Sequence, residues 1–194
     1  MVVNCQKQYA LNFAALRVYV RRLRRHLRLG PRDFNVCFLN DREIERLNVR
    51  YLGRPRPTDV LAFPWQEVGG RSRLPRRQSA GVRSALSVAA RGRSRQPKLG
   101  AGGNRAAGQE FRNFLGDVVI SVEAARRNAR SEGHSTLNEI RWLILHGVLH
   151  LLGHDHERDR GEMTCRELAL RKQLRIACLR GKLPGKNPAN SPHG

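Results

Sequence analysis

Acidic residues are scarce in this 194-residue sequence, which has 16 Asp and Glu against 37 Lys and Arg. The resulting formal net charge of +21 at pH 7 favours a polyanionic partner. Nucleic acid is the first candidate, and an anionic membrane surface is the second. A codon bias toward arginine is the alternative explanation of the charge, because arginine greatly outnumbers lysine.

Paired cysteines and long apolar runs are also missing. The four cysteines, Cys5, Cys37, Cys165 and Cys178, show no CxxC spacing, so we expect neither a disulfide framework nor a cysteine zinc site. Cys5 and Cys37 have apolar neighbours and are predicted to be buried strand residues. No apolar run reaches the roughly 18 residues of a membrane helix, and residues 1–8 lack a signal-peptide pattern. These absences predict a cytoplasmic protein without a membrane partner.

Apolar periodicity, capping residues and breakers predict strands mixed with helices, without regular alternation. This pattern indicates one compact α+β domain. The strands are expected at residues 2–5, 34–39, 59–63 and 117–121. The helices are expected at residues 11–29, 41–51 and 122–130, from Ser135 or Thr136 to the glycine at 153, and at residues 162–176.

Residues 68–108 differ from the rest of the chain. Gly, Ser, Arg and Ala dominate there, ten residues are basic and none is acidic. Such a stretch cannot bury enough apolar surface to offset the entropy cost of ordering, so we predict a disordered basic insertion. It serves either as an electrostatic arm for RNA or as a neutral, tolerated insertion. A second flexible stretch is expected at residues 179–194, where Gly, Pro and Asn are frequent.

Four of the seven histidines fall within residues 146–156, which read His-Gly-Val-Leu-His-Leu-Leu-Gly-His-Asp-His. His146 and His150 are four residues apart in a predicted helix, so their rings leave the same face one turn apart. Gly153 ends the helix and allows the chain to bring His156 back towards the pair. Three imidazole ligands suit Zn²⁺ and leave a fourth position open for water, which is the mark of a catalytic zinc site.

The neighbours of these histidines narrow the chemistry. His154 could compete as the third ligand, although we favour for it a position beside the metal or facing the substrate. A metalloprotease of the H-E-x-x-H type needs a glutamate directly after its first histidine as general base. The sequence has Gly147 at that position, which disfavours a zinc peptidase. Zinc as a Lewis acid and activator of water is the chemistry that remains.

Three motifs in the same order resemble the YbeY family of endoribonucleases. Residues 57–64 read Pro-Thr-Asp-Val-Leu-Ala-Phe-Pro, residues 115–121 read Leu-Gly-Asp-Val-Val-Ile-Ser, and residues 146–156 are the histidine motif above. The third motif departs from the family at His154, where an aromatic residue is usual. The resemblance covers most of residues 1–67 and 109–178 and leaves the insertion unexplained.

The resemblance implies a small α+β fold with a mixed sheet, about five helices and a metzincin-like zinc helix, with one zinc ion on His146, His150 and His156. It implies single-strand-specific cleavage of RNA, maturation of small-subunit ribosomal RNA at its 3′ end, and ribosome quality control in the cytoplasm. The expected partners are ribosomal RNA and ribosomal or assembly proteins, with no small-molecule cofactor. We accordingly predict one zinc-hydrolase domain over residues 1–178, interrupted by the insertion.

The family commonly has an arginine directly after a tyrosine that corresponds to Tyr51, but this sequence has Leu52 there. Arg54 or Arg56 could supply the guanidinium from the same loop, and we take Arg54 as the catalytic candidate; a solvated loop charge is the alternative. A guanidinium there would bind phosphate bidentately and stabilise developing negative charge. Because the family arginine is replaced by Leu52, a second function stays under consideration. In this alternative the protein is a non-catalytic, zinc-containing assembly factor that binds RNA or the ribosome.

Two acidic residues lie beside the predicted strands. Asp59 and Asp117 could orient the ligand histidines through hydrogen bonds. Hydrogen bonds that only support the fold are an equally good interpretation of both.

Overall fold

Four strands form one mixed sheet in the computed structural model, which describes residues 1–65, 113–154 and 161–176. The sheet order is β1-β2-β4-β3; β1, β2 and β4 are parallel, and β3 is antiparallel to β4. The predicted mixed sheet is therefore confirmed, whereas the predicted insertion at 68–108 and tail at 179–194 lie outside the described residues. The strands are β1 (Val2–Asn4), β2 (Asp33–Leu39), β3 (Val60–Pro64) and β4 (Phe114–Ser121).

Five helices occur in the described residues, as the sequence predicts. Their starts follow the capping residues: Asn40 forms a full capping box with Glu43, and Ser121 and Ser135 each accept a hydrogen bond from the first turn. None of these helices combines the length and the apolar character that crossing a membrane would require. The helices are α1 (Phe13–His26), α2 (Asp41–Leu52), α3 (Val122–Glu132), α4 (Thr136–Leu151) and α5 (Glu162–Leu174).

Most element boundaries differ from the prediction by one to three residues, and three of these differences have a clear local reason. Helix α1 begins at Phe13 because the Asn12 side chain caps it. Helix α5 ends at Leu174 because Arg175 adopts a left-handed conformation with φ of 55°. Strand β4 begins three residues before Asp117, because pairing with both β2 and β3 extends it.

The two central strands, β2 and β4, are buried on both faces, which explains their nearly continuous apolar sequences. On β2, Val36 and Phe38 face the larger core, which helices α1, α4 and α5 complete, whereas Cys37 faces a smaller core under α2. On β4, Val118 and Val119 divide between the two cores in the same way. Side chains alternate along a strand, so each central strand supplies both cores.

Helix α4 lies directly on the sheet, and 12 of its 16 residues are buried. A Cβ on Gly147 would lie 2.6 Å from a methyl carbon of Val118, and a Cβ on Gly116 would lie 3.0 Å from Leu151. Between these two contacts the helix advances by four residues, from 147 to 151, and the strand goes back by two, from 118 to 116. Both steps span about 6 Å, so the two contacts match in spacing. Helix α4 therefore runs antiparallel to β4, and each of the two contacts includes a glycine.

Gly147 gives the first testable prediction. Gly147→Ala is expected to lower the free energy of unfolding by about 1–3 kcal/mol, because the added methyl group collides with Val118 in a packed core. Val118→Ala opens the same space, so Gly147→Ala should cost clearly less in that background. Urea unfolding of both single variants and the double variant measures this coupling. An equal cost in both backgrounds would show that the close packing on Val118 is not the cause.

Two cysteines that lie far apart in sequence meet in the fold. The Sγ atoms of Cys5 and Cys37 are 3.2 Å apart, and both thiols are free. Cys37 is a buried strand residue as predicted, but the prediction for Cys5 is wrong, because β1 ends at Asn4 and Cys5 is only partly buried. The parallel pairing of β1 with β2 brings the two residues together.

Candidate metal centre

His146 and His150 project from consecutive turns of α4 and meet edge to face. Their ring centroids are 4.7 Å apart with an interplanar angle of 76°, and their Nε2 atoms are 3.1 Å apart. His146 is buried, whereas His150 is partly exposed. The two rings therefore aim the same nitrogen at one region, and His150 lies on the side that solvent can reach.

The separation of the two Nε2 atoms is close to what one metal ion requires. Zinc binds imidazole nitrogen at about 2.0–2.1 Å, so two nitrogens on a tetrahedral ion lie about 3.3–3.4 Å apart. The observed 3.1 Å is within a few tenths of an ångström of that value. The same distance also suits an N–H···N hydrogen bond between two neutral rings in the metal-free protein. The pair therefore fits a zinc ion with little movement of either side chain.

A buried carboxylate lies behind this pair. Glu167 of α5 is 1% exposed, and its Oε2 is 3.1 Å from Nδ1 of His146. Its other oxygen, Oε1, accepts a hydrogen bond from the indole N–H of Trp142, one turn before His146. The guanidinium of Arg171 lies 3.7 Å from the centroid of the Trp142 ring. Glu167 thus connects α5 to the inner histidine of α4.

Sequence reasoning did not identify Glu167 as a residue of the site. It lies 21 residues after His146, on a separate helix with ordinary helical composition. No spacing rule connects the two positions, because the contact depends on how α5 packs on α4. The detectable signal was weak, because Glu167 is one of two acidic residues on α5 and lies between Arg166 and Leu168 in the sequence.

The third predicted ligand, His156, lies outside the described residues. Gly153 ends the helical region with φ of +88°, as its position in the sequence predicts. His154 follows it, and its Nε2 is 2.8 Å from Nη1 of Arg166. Within the described ranges no cluster of three or more His, Cys, Asp or Glu side chains could hold a metal ion. The full ligand set of His146, His150 and His156 therefore stays a prediction.

The arginine candidates lie in the exposed loop between α2 and β3. Asn48 holds this loop, because its side-chain amide donates to the carbonyl oxygen of Arg56 over 2.7 Å. The side chains of Arg54 and Arg56 are exposed and form no hydrogen bond or ion pair within residues 1–65, 113–154 and 161–176. Leu52 is 51% exposed at the end of α2. The loop thus presents two guanidinium groups to solvent.

The two acidic residues beside the strands contact asparagines rather than the histidine pair. Asp117 accepts a hydrogen bond from Asn35 over 2.9 Å, and burial raises the pKa of the Asp117 carboxyl. Asp59 accepts from the Asn128 side chain over 3.2 Å and from the backbone N–H of Val60 over 2.9 Å. These hydrogen bonds are consistent with the second of the two interpretations that the sequence allowed, and a role of either carboxylate towards His156 stays a prediction.

The comparisons with known proteins agree with the motifs. The family model described as Endoribonuclease YbeY matches residues 5–175. A curated relative named Endoribonuclease YbeY from Nautilia profundicola is 32% identical over 148 residues, which is 76% of each chain. Another relative of that name, from Syntrophus aciditrophicus, is 29% identical over 161 residues, 83% of this chain and 78% of the other.

A solved structure supports the fold. The solution structure of TM1509 from Thermotoga maritima matches with a TM-score of 0.50 and 20% sequence identity, over 96% of this chain and all of that one. Identity at this level is informative about the fold only. The family model, in contrast, spans all three motifs and nearly all of the described residues. The chain belongs to the YbeY endoribonuclease family.

Proposed function

We propose that this protein is a zinc-dependent, single-strand-specific endoribonuclease that matures the 3′ end of small-subunit ribosomal RNA and takes part in ribosome quality control in the cytoplasm. The observation that carries the metal part of the proposal is the histidine pair on α4, with Nε2 atoms 3.1 Å apart. The RNA part rests on membership of the family and on the net charge of +21. Ribosomal or assembly proteins are the proposed protein partners.

His146, His150 and His156 would hold the ion in this proposal. A bound zinc ion supplies a Lewis acid that polarises a phosphodiester oxygen and activates a water molecule. The packed core under α4 keeps solvent away from the inner side of the site, so that RNA approaches from the side of His150. The exposed Arg54 guanidinium is proposed to bind a phosphate bidentately and to stabilise the charge that develops during cleavage.

A second candidate function is a non-catalytic, zinc-containing RNA- or ribosome-binding assembly factor. The observation that favours it is Leu52, an exposed apolar side chain at the position where the family commonly has arginine. A zinc peptidase receives no such support. Gly147 replaces the protease glutamate, and any side chain at that position would collide with Val118 of the sheet.

Metal removal tests the function directly. The purified protein should contain about one zinc ion per chain and should cleave a single-stranded RNA that carries the 3′ end of small-subunit ribosomal RNA. A strong chelator should abolish cleavage, and added zinc should restore it; the same sequence as a duplex is the specificity control. Cleavage that persists after complete zinc removal contradicts the proposed enzyme. Tight RNA binding without cleavage at full zinc occupancy favours the assembly factor.

Arg54 gives a separate prediction. Arg54→Ala is expected to lower kcat by about 100-fold or more, the usual effect of removing a group that stabilises transition-state charge. RNA affinity should change far less, because one phosphate contact among many is lost. Arg56→Ala is the matched control, since it removes the same charge from the same exposed loop. Equal effects of the two substitutions would mean that both arginines only attract RNA through their positive charge, and that Arg54 has no specific role in cleavage.

A further inference from the structure

We propose that Glu167 is a positioning residue that fixes the tautomer of His146, and that Trp142 fixes the orientation of Glu167. The consequence is an Nε2 atom on His146 that carries a lone pair and faces His150. This inference rests on the proposed metal site, because the lone pair matters only if Nε2 is a ligand. The arrangement is built entirely from described residues of α4 and α5.

The tautomer follows from the contact at Nδ1. A neutral imidazole carries one N–H and one acceptor nitrogen, and an ionised carboxylate can only accept. With Oε2 of Glu167 at 3.1 Å from Nδ1 of His146, the proton belongs on Nδ1 and the lone pair on Nε2. In the metal-free protein, His150 is then the donor across the 3.1 Å between the two Nε2 atoms.

Trp142 fixes the orientation of the Glu167 carboxylate. An indole N–H is only a donor, so the group that faces Trp142 must be an acceptor. Oε1 of Glu167 occupies that place, which directs Oε2 to His146. Arg171 is buried beside the same indole ring and places a positive charge near the carboxylate. One buried carboxylate is thus shared by two donors on successive turns of α4.

We expect this arrangement to raise the affinity of the proposed site for its metal ion. Carboxylates that accept from the second nitrogen of a ligand histidine orient the ring and raise its basicity, and their loss commonly costs about 10–100-fold in metal affinity. Without Glu167, the His146 ring can adopt the opposite tautomer, in which an N–H points at the proposed ion. Glu167 therefore acts through His146 and does not touch the substrate.

The wild-type protein provides the first test, without any substitution. Imidazole ¹⁵N shifts of the metal-free protein, measured at about pH 8 where an ordinary histidine is neutral, report which ring nitrogen carries the proton. We expect the Nδ1–H form for His146. The Nε2–H form would overturn the proposal, whether or not the protein binds zinc.

Glu167→Gln provides the second test, because the new side chain has the same shape. The Trp142 N–H requires the amide oxygen, so the amide N–H₂ must face Nδ1 of His146 and make that nitrogen an acceptor. We expect the His146 proton to move to Nε2 and the zinc dissociation constant to rise by about 10–100-fold. An unchanged tautomer together with unchanged zinc affinity would overturn the proposal.

Two companion variants separate positioning from stability. In Trp142→Phe/Glu167→Gln the amide is free to rotate and to offer its oxygen to His146, so the Nδ1–H form and most of the zinc affinity should return. Glu139→Gln is the matched control, because Glu139 is an equally buried glutamate on α4, and burial raises its pKa to about 7. Its carboxyl oxygen Oε2 lies 3.1 Å from Nε2 of His134, away from the histidine pair, so the substitution should leave zinc affinity unchanged. A loss of zinc in the control equal to that in Glu167→Gln, or no recovery in the double variant, would contradict the proposal.

These outcomes are distinct from failure of the proposed function. If the histidine pair does not bind zinc, His150→Ala will retain the metal content of the wild type. The tautomer of His146 in the metal-free protein is a separate readout and still tests the role of Glu167 and Trp142.

Discussion

Replacing His150 by alanine is expected to release zinc from the protein and to lower cleavage of single-stranded RNA by more than about 100-fold. Residues that only support a metal ligand already cost about 10–100-fold, and loss of a ligand itself should cost more. His150 is the better target of the pair, because it is partly exposed and its removal leaves the contact between His146 and Glu167 intact. Atomic spectroscopy measures the zinc content, and single-turnover kinetics measures the rate of RNA cleavage.

The control for this prediction is His26→Ala. His26 is the exposed last residue of α1, and Nδ1 of its ring lies 2.9 Å from the backbone oxygen of Arg22. Both variants should keep the circular dichroism spectrum of the wild type. Cleavage by the His150 variant at the wild-type rate would assign the activity to another site or to a contaminating nuclease.

Local patterns explain why much of the fold was predictable. The alternation of Val36, Cys37 and Phe38 specifies a strand with two buried faces, and the Asn40–Glu43 pair specifies the start of α2. These signals act over four residues or fewer, so they do not depend on how the elements pack. The closeness of the His146 and His150 rings is predictable for the same reason, since it follows from helical spacing.

The features that sequence reasoning missed all depend on packing between distant elements. The contact of Glu167 with His146 requires α5 to pack on α4, and the closeness of Cys5 and Cys37 requires the parallel register of β1 and β2. Gly147 is the clearest case. The sequence shows that it removes a protease base, but only the structure shows that Val118 leaves no room for any side chain there.

Three features of the structure favour glycine at position 116: its backbone conformation, the nearby backbone of β3 and the nearby end of α4. Its φ of +137° is a conformation that residues with a side chain rarely adopt. A Cβ there would lie 2.2 Å from the carbonyl oxygen of Phe63 on β3 and 3.0 Å from a methyl carbon of Leu151, next to His150. The first neighbour is backbone and cannot rotate away. This glycine therefore lets β3 pair with β4 and lets the end of the histidine helix approach the sheet.

Gly116→Ala is accordingly expected to lower the free energy of unfolding by at least about 3 kcal/mol, from backbone strain of about 1–3 kcal/mol plus displacement of β3. Gly133→Ala is the matched control. Gly133 also has a positive φ, +71°, but open space surrounds its missing Cβ, so only about 1 kcal/mol should be lost. Urea unfolding compares the two variants. Equal losses of unfolding free energy would mean that the backbone conformation alone matters. A larger loss for Gly116→Ala, accompanied by weaker zinc binding, would show that the close approach of β3, β4 and α4 positions His150.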